Sequence, residues 1–204
     1  IQTHLNPEKL RITHLGGGAC SLARYCADVY PNSRNTVVEL DAKLAEYVRD
    51  WFDIPKSPRV KIRVGDAGTI TSSLAPASRD VVIRDVFAAD KTPAELTSVD
   101  FVREVDHSLA PGGLYILNCG DGPSLDGARA EVAALFEVFE QVCLVADAAM
   151  LKGRRRGNII IAASHSPLPA AGSAEAAAIS RTLMGGGVPA QYRDSAQARQ
   201  FARL

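Results

Sequence analysis

Three features of this sequence predict an α/β fold with a doubly wound, mostly parallel sheet. A strand, a glycine turn and a helix follow one another without a gap between Leu10 and Val29. Five apolar strand-like runs alternate with segments of helical spacing. Acidic residues close successive strands at Glu39, Asp66 and Asp85. Alternation of this kind builds right-handed βαβ units with helices on both faces, and ligands of such sheets bind beyond the carboxyl ends of the strands.

Taken in order, Leu10 to Leu15 reads as the first strand, with Ile12 and His14 alternating with Arg11 and Thr13. Gly16, Gly17 and Gly18 break it, and Leu22, Ala23, Cys26, Ala27 and Val29 then fall at helical spacing. Thr36 to Leu40 is the second strand. Asp41 is placed to cap a helix with the apolar face Leu44, Tyr47, Val48 and Trp51, which Ile54-Pro55 stops. Val60 to Val64 forms a third strand ending at Gly65-Asp66, and Thr69 to Leu74 is a weak short helix. Val81, Val82 and Ile83 form the continuous apolar run of a central parallel strand covered on both faces, and that strand closes on Asp85.

Thr92-Pro93-Ala94-Glu95 has the composition of a capping box. The helix after it carries Phe101, Val102, Val105 and Leu109 and is expected to end at Ala110-Pro111-Gly112-Gly113, ahead of a fifth strand, Leu114 to Cys119. Ser124 to Phe139 has the pattern of a long amphipathic helix. Gln141 to Ala146 and Asn158 to Ala163 read as a closing strand pair joined by a hairpin-like connection, which brings the sheet to seven strands with a terminal antiparallel strand. The connection carries Lys152, Arg154, Arg155 and Arg156. It reads either as a solvated turn or as a cationic tip that repels a polyamine and attracts an anionic acceptor.

The 204 residues, 47% apolar and 6% aromatic, suffice to bury one sizeable core. Residues 1–165 are expected to form a catalytic domain, and residues 166–204, rich in Pro, Ala and Gly, an appendage with one helix from Ser173 to Met184. Equal numbers of basic and acidic residues, 23 each, leave no overall field to hold nucleic acid or an anionic membrane. No run approaches the ~20 apolar residues that span a bilayer, and the start shows no signal-peptide pattern, so a soluble cytoplasmic protein is expected. The chain begins at Ile1 rather than Met, which leaves room for an upstream segment. Cys20, Cys26, Cys119 and Cys143 lack metal-ligand spacing and are expected as buried, reduced thiols.

The glycine loop points to a nucleotide-type ligand, because glycine lets a ligand approach the backbone and a helix N-terminus offers free N–H groups. Glu39 lies 21 positions after Gly18, near the ~20 expected for an acid that accepts from ribose hydroxyls. The dinucleotide form of the motif needs glycine where this chain has Ser21, so a mononucleoside is favoured over NAD.

The succession HLGGG, VVELD, RVGDA, DVVIRD and LAPGG, spread between Leu10 and Ser164, resembles the class I AdoMet-dependent methyltransferase fold, and in particular the spermidine synthase (polyamine aminopropyltransferase) family. The resemblance implies a Rossmann-like sheet and a nucleoside loop at Gly16, Gly17 and Gly18. It also implies AdoMet or decarboxylated AdoMet as co-substrate without a metal. By the same resemblance Glu39 binds the ribose and Asp66 the adenine amino group, since a carboxylate accepts from an exocyclic amine while a neighbouring backbone N–H, as at Ala67, serves the ring.

The departures are specific. The family continues the glycines with Asp, where this chain has Ala19. Its Asp-Ser-Ser-Asp run after the fourth strand matches Asp85-Val86-Phe87-Ala88, which keeps the first Asp and loses the second, the usual proton acceptor. The family's N-terminal β-hairpin region has no counterpart in these residues. Asp85 and, five residues on, the loop acid Asp90 are then the catalytic candidates, with Asp90 able to swing over a bound sulfonium. Three functions are consistent with this pattern. They are aminopropyl transfer to an amine, methyl transfer from AdoMet to an unknown acceptor, and nucleoside binding without catalysis. The expected partner is a small-molecule acceptor rather than nucleic acid or a membrane, with a homodimer left open.

Overall fold

The structure, a computed structural model, describes residue 1 and residues 4–89 and 91–204. Strands and helices alternate through β1 (Arg11–Leu15), α1 (Ser21–Val29), β2 (Arg34–Glu39), α2 (Ala42–Trp51), β3 (Val60–Val64), α3 (Ala67–Ser72) and β4 (Arg79–Arg84). Then follow α4 (Val99–Ser108), β5 (Leu109–Asp121), α5 (Asp126–Phe136), β6 (Gln141–Ala146), α6 (Ala148–Leu151), β7 (Gly157–Ser164), α7 (Ala174–Met184), β8 (Gln191–Arg193) and α8 (Ser195–Ala202). The sheet has eight strands in the order β3-β2-β1-β4-β5-β7-β6-β8, one more than the seven expected. β1 pairs in parallel with both β2 and β4, and β2 with β3, while β6 is antiparallel to β7 and to β8. Two compact units divide the chain, residues 1–87 with 103–115 and residues 88–102 with 116–204.

In the first unit the apolar stripes of α1 and α2 meet one face of the sheet. Ala23, Ala27 and Val48 pack with Val37 and Val60 in one buried cluster. Each valine so buried contributes roughly 1.5–3 kcal/mol relative to exposure. Asp41 caps α2 as its position predicts, its Oδ1 accepting from the N–H groups of Lys43 and Leu44. The expected apolar face of α2 is only half used. Ala45 and Val48 are buried, whereas Tyr47 and Trp51 lie outside and stack on each other at 5.3 Å between ring centroids. A buried polar chain runs beneath α1. His14 Nε2 donates to Asn35 Oδ1 at 2.9 Å, and Asn35 Nδ2 donates to Ser33 Oγ at 2.9 Å and to the Arg59 carbonyl at 3.1 Å. Burial pushes the His14 imidazole down to about 4, against the opposing effect of its bond to Asn35.

Elsewhere the structure corrects local readings. No helix starts at the Thr92 capping box. Ala94–Thr97 is a 3-10 turn without a side-chain cap, and Ser98 Oγ instead accepts from the Phe101 N–H in the first turn of α4. Ala110-Pro111-Gly112-Gly113 does not end the helix ahead of a strand but lies inside β5. Gly112 takes φ +75°, and a Cβ on Gly113 would stand 2.8 Å from the Ala110 carbonyl, so the four residues form a tight bend within the strand.

The second unit also departs from the expectation. Leu125, in the left-handed conformation, delays α5, and the connection between β6 and β7 contains the short α6, capped by Asp147. Residues 166–204, expected as an appendage, carry α7, β8 and α8. β8 pairs with β6 through Tyr192 opposite Val145, and Ala198 of α8 is fully buried. The Arg199 guanidinium sits 4.0 Å from the centroid of the Phe136 ring on α5, and a capping box of Asp194 and Gln197 opens α8. All four cysteines are buried and free, as expected. Among the described residues no helix is long and apolar enough to cross a membrane.

Candidate functional site: the carboxyl edge of the first unit

The sheet order places Asp66 after β3, Glu39 at the end of β2, the glycine loop after β1 and Asp85 after β4, so the four lie in succession along one edge. Backbone bonds continue the ladder past the strand ends and fix that succession. Gly65 N–H donates to the Glu39 carbonyl at 2.9 Å, Gly16 N–H to Val38 at 3.0 Å and Asp85 N–H to Leu15 at 2.8 Å. The chain leaves β1 for β2 on one side while β4 lies on the other, which makes this the topological switch point where ligands of doubly wound sheets bind.

The three glycines do different work. Gly16 has φ +91°, and a Cβ there would lie 2.1 Å from the Asp85 carbonyl oxygen, so only glycine lets β1 and β4 close together at this point. A Cβ on Gly17 would crowd Val37 Cγ1 at 2.9 Å and Glu39 Oε2 at 3.1 Å. At Gly18, φ +46°, no described heavy atom lies within 4 Å of such a Cβ, and the backbone faces open space.

Glu39 holds this loop. Its Oε2 accepts from the N–H groups of Gly17 at 3.0 Å and Gly18 at 2.9 Å, and its Oε1 accepts from Asp41 N–H at 2.9 Å. A carboxylate offers about four acceptor positions. Three are committed to the backbone, which leaves one for a ligand hydroxyl unless the loop yields an N–H. The sequence spacing located this carboxylate but carried no sign of its grip on the loop. Leu40 beside it is 72% exposed and adds apolar surface at the edge, although the alternation counts it only as the end of a strand.

Asp66 is both cap and candidate ligand group. Its Oδ1 accepts from the Thr69 N–H at 2.8 Å, a bond that holds the exposed carboxyl below its usual range. The Thr69 hydroxyl and the backbone N–H groups of Gly68 and Ala67 add to that bond, so the first turn of α3 as a whole engages the carboxylate. Ala67 follows as the buried first residue of α3. Asp85 is exposed at the end of β4. Ala19 and Ala88 are exposed too, and neither brings a carboxylate. Ala88 and Lys91 exchange both backbone hydrogen bonds, at 2.8 and 3.3 Å. Asp90 lies outside the described residues.

The second unit carries a cleft of about 740 Å³ where β5 ends, with Lys91, Asp121, Asp126, Glu131 and Arg156 among its lining. Asp121 is committed to the backbone. Its Oδ1 accepts from Gly122 N–H at 2.7 Å, and its Oδ2 accepts from Ala128 N–H at 2.8 Å, capping α5 from seven residues upstream. Of the four cations in the β6–β7 connection, Arg155 is spent on Asp147 at 2.8 Å, and Arg156 lines the cleft.

A glycine loop and acidic residues at the switch point of a mostly parallel sheet are the arrangement of the class I AdoMet-dependent methyltransferase fold. Comparison with known proteins agrees. The chain is 59% identical to a probable spermidine synthase from Corynebacterium glutamicum, over 99% of this chain and 72% of that one, with a TM-score of 0.96. It is 33% identical over 144 residues to the eEF1A lysine and N-terminal methyltransferase of Mus musculus, over 65% of this chain and 20% of that protein. Human methyltransferase-like protein 13, solved with SAH, shares the fold at a TM-score of 0.71 and 24% identity, over 98% of this chain and 87% of that one. The chain spans about a fifth of the length of the first curated relatives it matches. No family model matches it. The chain belongs to the spermidine synthase family.

Proposed function

We propose that this chain transfers the aminopropyl group of decarboxylated AdoMet to an amine. The observation that carries the reading is the succession of Asp66, Glu39, glycine loop and Asp85 along one edge, in a chain 59% identical to a probable spermidine synthase. When bound, the co-substrate supplies a sulfonium. The amine nitrogen attacks the aminopropyl carbon next to sulfur, and the C–S bond breaks with its electrons going to sulfur, releasing methylthioadenosine. Glu39 accepts from the ribose through its uncommitted position, Asp66 accepts from the adenine amino group, and the Ala67 N–H serves the ring. The open backbone at Gly18 lets the nucleoside approach.

An amine attacks only as the free base, so a carboxylate has to take its proton. Ala88 stands where the family's usual acceptor would be and cannot do this. We assign the proton to Asp90 and the orientation of the amine to Asp85. Turnover with decarboxylated AdoMet and a panel of amines tests the assignment, run beside AdoMet with cell extract. Asp90→Asn should lower turnover about 100-fold with little change in nucleoside affinity, and Asp85→Asn should damage both. Methyl incorporation that survives Asp90→Asn, with no aminopropyl product at any amine concentration, would refute the proposal.

A further inference from the structure

We infer that the outer edge of β3 takes up an extended acidic polypeptide segment as a further strand, with carboxylates at alternate positions set against Lys61 and Arg63. β3 ends the sheet, so one side of its backbone has no neighbouring strand. The ladder fixes which groups that side offers. Asn35 N–H donates to the Arg59 carbonyl and Gly65 N–H to the Glu39 carbonyl, both at 2.9 Å. Parallel pairing of β2 with β3 then turns the backbone of Lys61 and Arg63 toward β2 and that of Val60, Ile62 and Val64 outward. Val60 is spent, its N–H on the Lys56 carbonyl and its carbonyl accepting from Arg49 Nη2 at 3.2 Å. Ile62 and Val64 keep outward N–H and C=O groups that meet no partner among the described residues.

The side chains of the same strand define the chemistry of what binds. Val60 and Ile62 pack with the cluster beneath α1 and α2, so alternation puts Lys61 and Arg63 on the opposite face. Both are exposed, and among the described residues neither pairs with a carboxylate. Arg34 of β2 is exposed on that face as well. The Arg79 guanidinium lies there too, donating through Nε to Thr13 Oγ1 at 2.7 Å. Burial first, and then the like charges of Arg11 and Arg63, hold it below its ordinary range against the opposing effect of Asp80. Asp80 is the carboxylate that the strands bring to this face, and Arg11 holds both of its oxygens. A surplus of cations remains, which attracts an anionic partner. On the other side of the edge the surface is apolar, with Val64 50% exposed. A bound strand meets cations through one set of alternate residues and valine through the other, so it fits in the order acid, apolar, acid.

A second copy of this chain is a poor occupant. Antiparallel pairing of two β3 edges through Ile62 and Val64 sets Arg63 opposite Arg63, a like-charge pair that costs stability. Nucleic acid lacks footing, because β2 and β3 bring no aromatic side chain on which a base could stack. An acidic strand gains main-chain hydrogen bonds from the edge and charge pairs from Lys61 and Arg63.

A fluorescein-labelled peptide with the core Glu-Val-Glu-Val-Glu between Ser-Gly flanks tests this by fluorescence polarisation at low salt. An isomer with the core Glu-Glu-Glu-Val-Val and a short single-stranded RNA are run beside it. The alternating peptide should bind the parent about fivefold or more tightly than its isomer. Lys61→Glu and Arg63→Glu should each weaken it about tenfold, and Lys61→Gln and Arg63→Gln less, with the folded state intact by circular dichroism. Amide hydrogen exchange at Ile62 and Val64 should slow when the alternating peptide saturates the protein, which reads strand addition apart from charge. Equal binding of the two isomers with exchange unchanged would reduce the edge to a diffuse cationic surface and overturn the inference. RNA bound more tightly than the peptide through Arg63 would overturn it in favour of a nucleic acid. No binding of the alternating peptide would overturn it as well, leaving Lys61 and Arg63 as charges that keep an open edge from pairing.

Discussion

Removing the Glu39 side chain tests whether one carboxylate serves both the glycine loop and the nucleoside. In the folded chain it accepts from Gly17, Gly18 and Asp41 N–H groups, two of these three bonds lying at exposed positions. A hydrogen bond to a charged group is worth about 1.5–3 kcal/mol when buried. The exposed donors regain water on loss of the acceptor, so Glu39→Ala should cost only about 1–2 kcal/mol of stability, read from the urea midpoint. Loss of the ribose contact should cost on the order of 2–3 kcal/mol of binding, a 30- to 150-fold weaker Kd for methylthioadenosine by titration calorimetry. Glu39→Gln separates the two roles, because the amide keeps one acceptor oxygen but turns an N–H donor on the loop or on the ligand. It should retain the fold and still bind at least tenfold more weakly than the parent. If both variants lose stability yet bind methylthioadenosine as the parent does, Glu39 is a loop clamp alone and the nucleoside assignment fails.

Further outcomes follow from the same geometry. Asp66→Asn should keep most of the α3 cap, since Asn caps about as well as Asp, while weakening adenosine more than inosine; equal weakening of the two would remove Asp66 from the adenine edge. Gly16→Ala should fail to fold or lose several kcal/mol, because its Cβ would fall 2.1 Å from the Asp85 carbonyl, whereas Gly18→Ala should fold with a cost of about 1 kcal/mol and bind nucleoside weakly. Two normally folded variants with unchanged affinity would contradict this account of the loop. His14 titrates at about 4 in the folded chain against 6.5 unfolded, so between these values the unfolded chain takes up the proton and the native one does not. Stability is therefore complete above about pH 6.5 and falls as the pH drops toward 4, by about 3 kcal/mol in all. Urea midpoints of the parent and His14→Gln across that range should converge as the pH falls, and parallel curves would show that His14 is not the group responsible.

Much of this molecule was legible in the sequence wherever the deciding interaction is local. The alternation around Ile12 and His14, the glycine break, the Asp41 cap and the apolar run Val81-Val82-Ile83 each specify a strand end, a helix start or a buried strand within a few residues. Three glycines and acids at the right spacing likewise marked the edge on which the nucleoside reading rests. What the tertiary structure decided depends on partners far away in the chain. Ala110 to Gly113 reads locally as a helix stop, yet those residues lie inside β5 and make a bend within it, with Gly112 at φ +75°. Asp121 accepts from Ala128 N–H seven residues on, a bond that no local pattern in the sequence signals. Tail residues 191–193 hold too short a pattern to signal a strand, and they become one because β6 offers an open edge. Glu39 shows both sides of the division. Its position in sequence supplies a carboxylate at the carboxyl edge of the sheet with a local bond from Asp41 N–H, and the pairing of β1 with β2 brings the Gly17 and Gly18 N–H groups onto it.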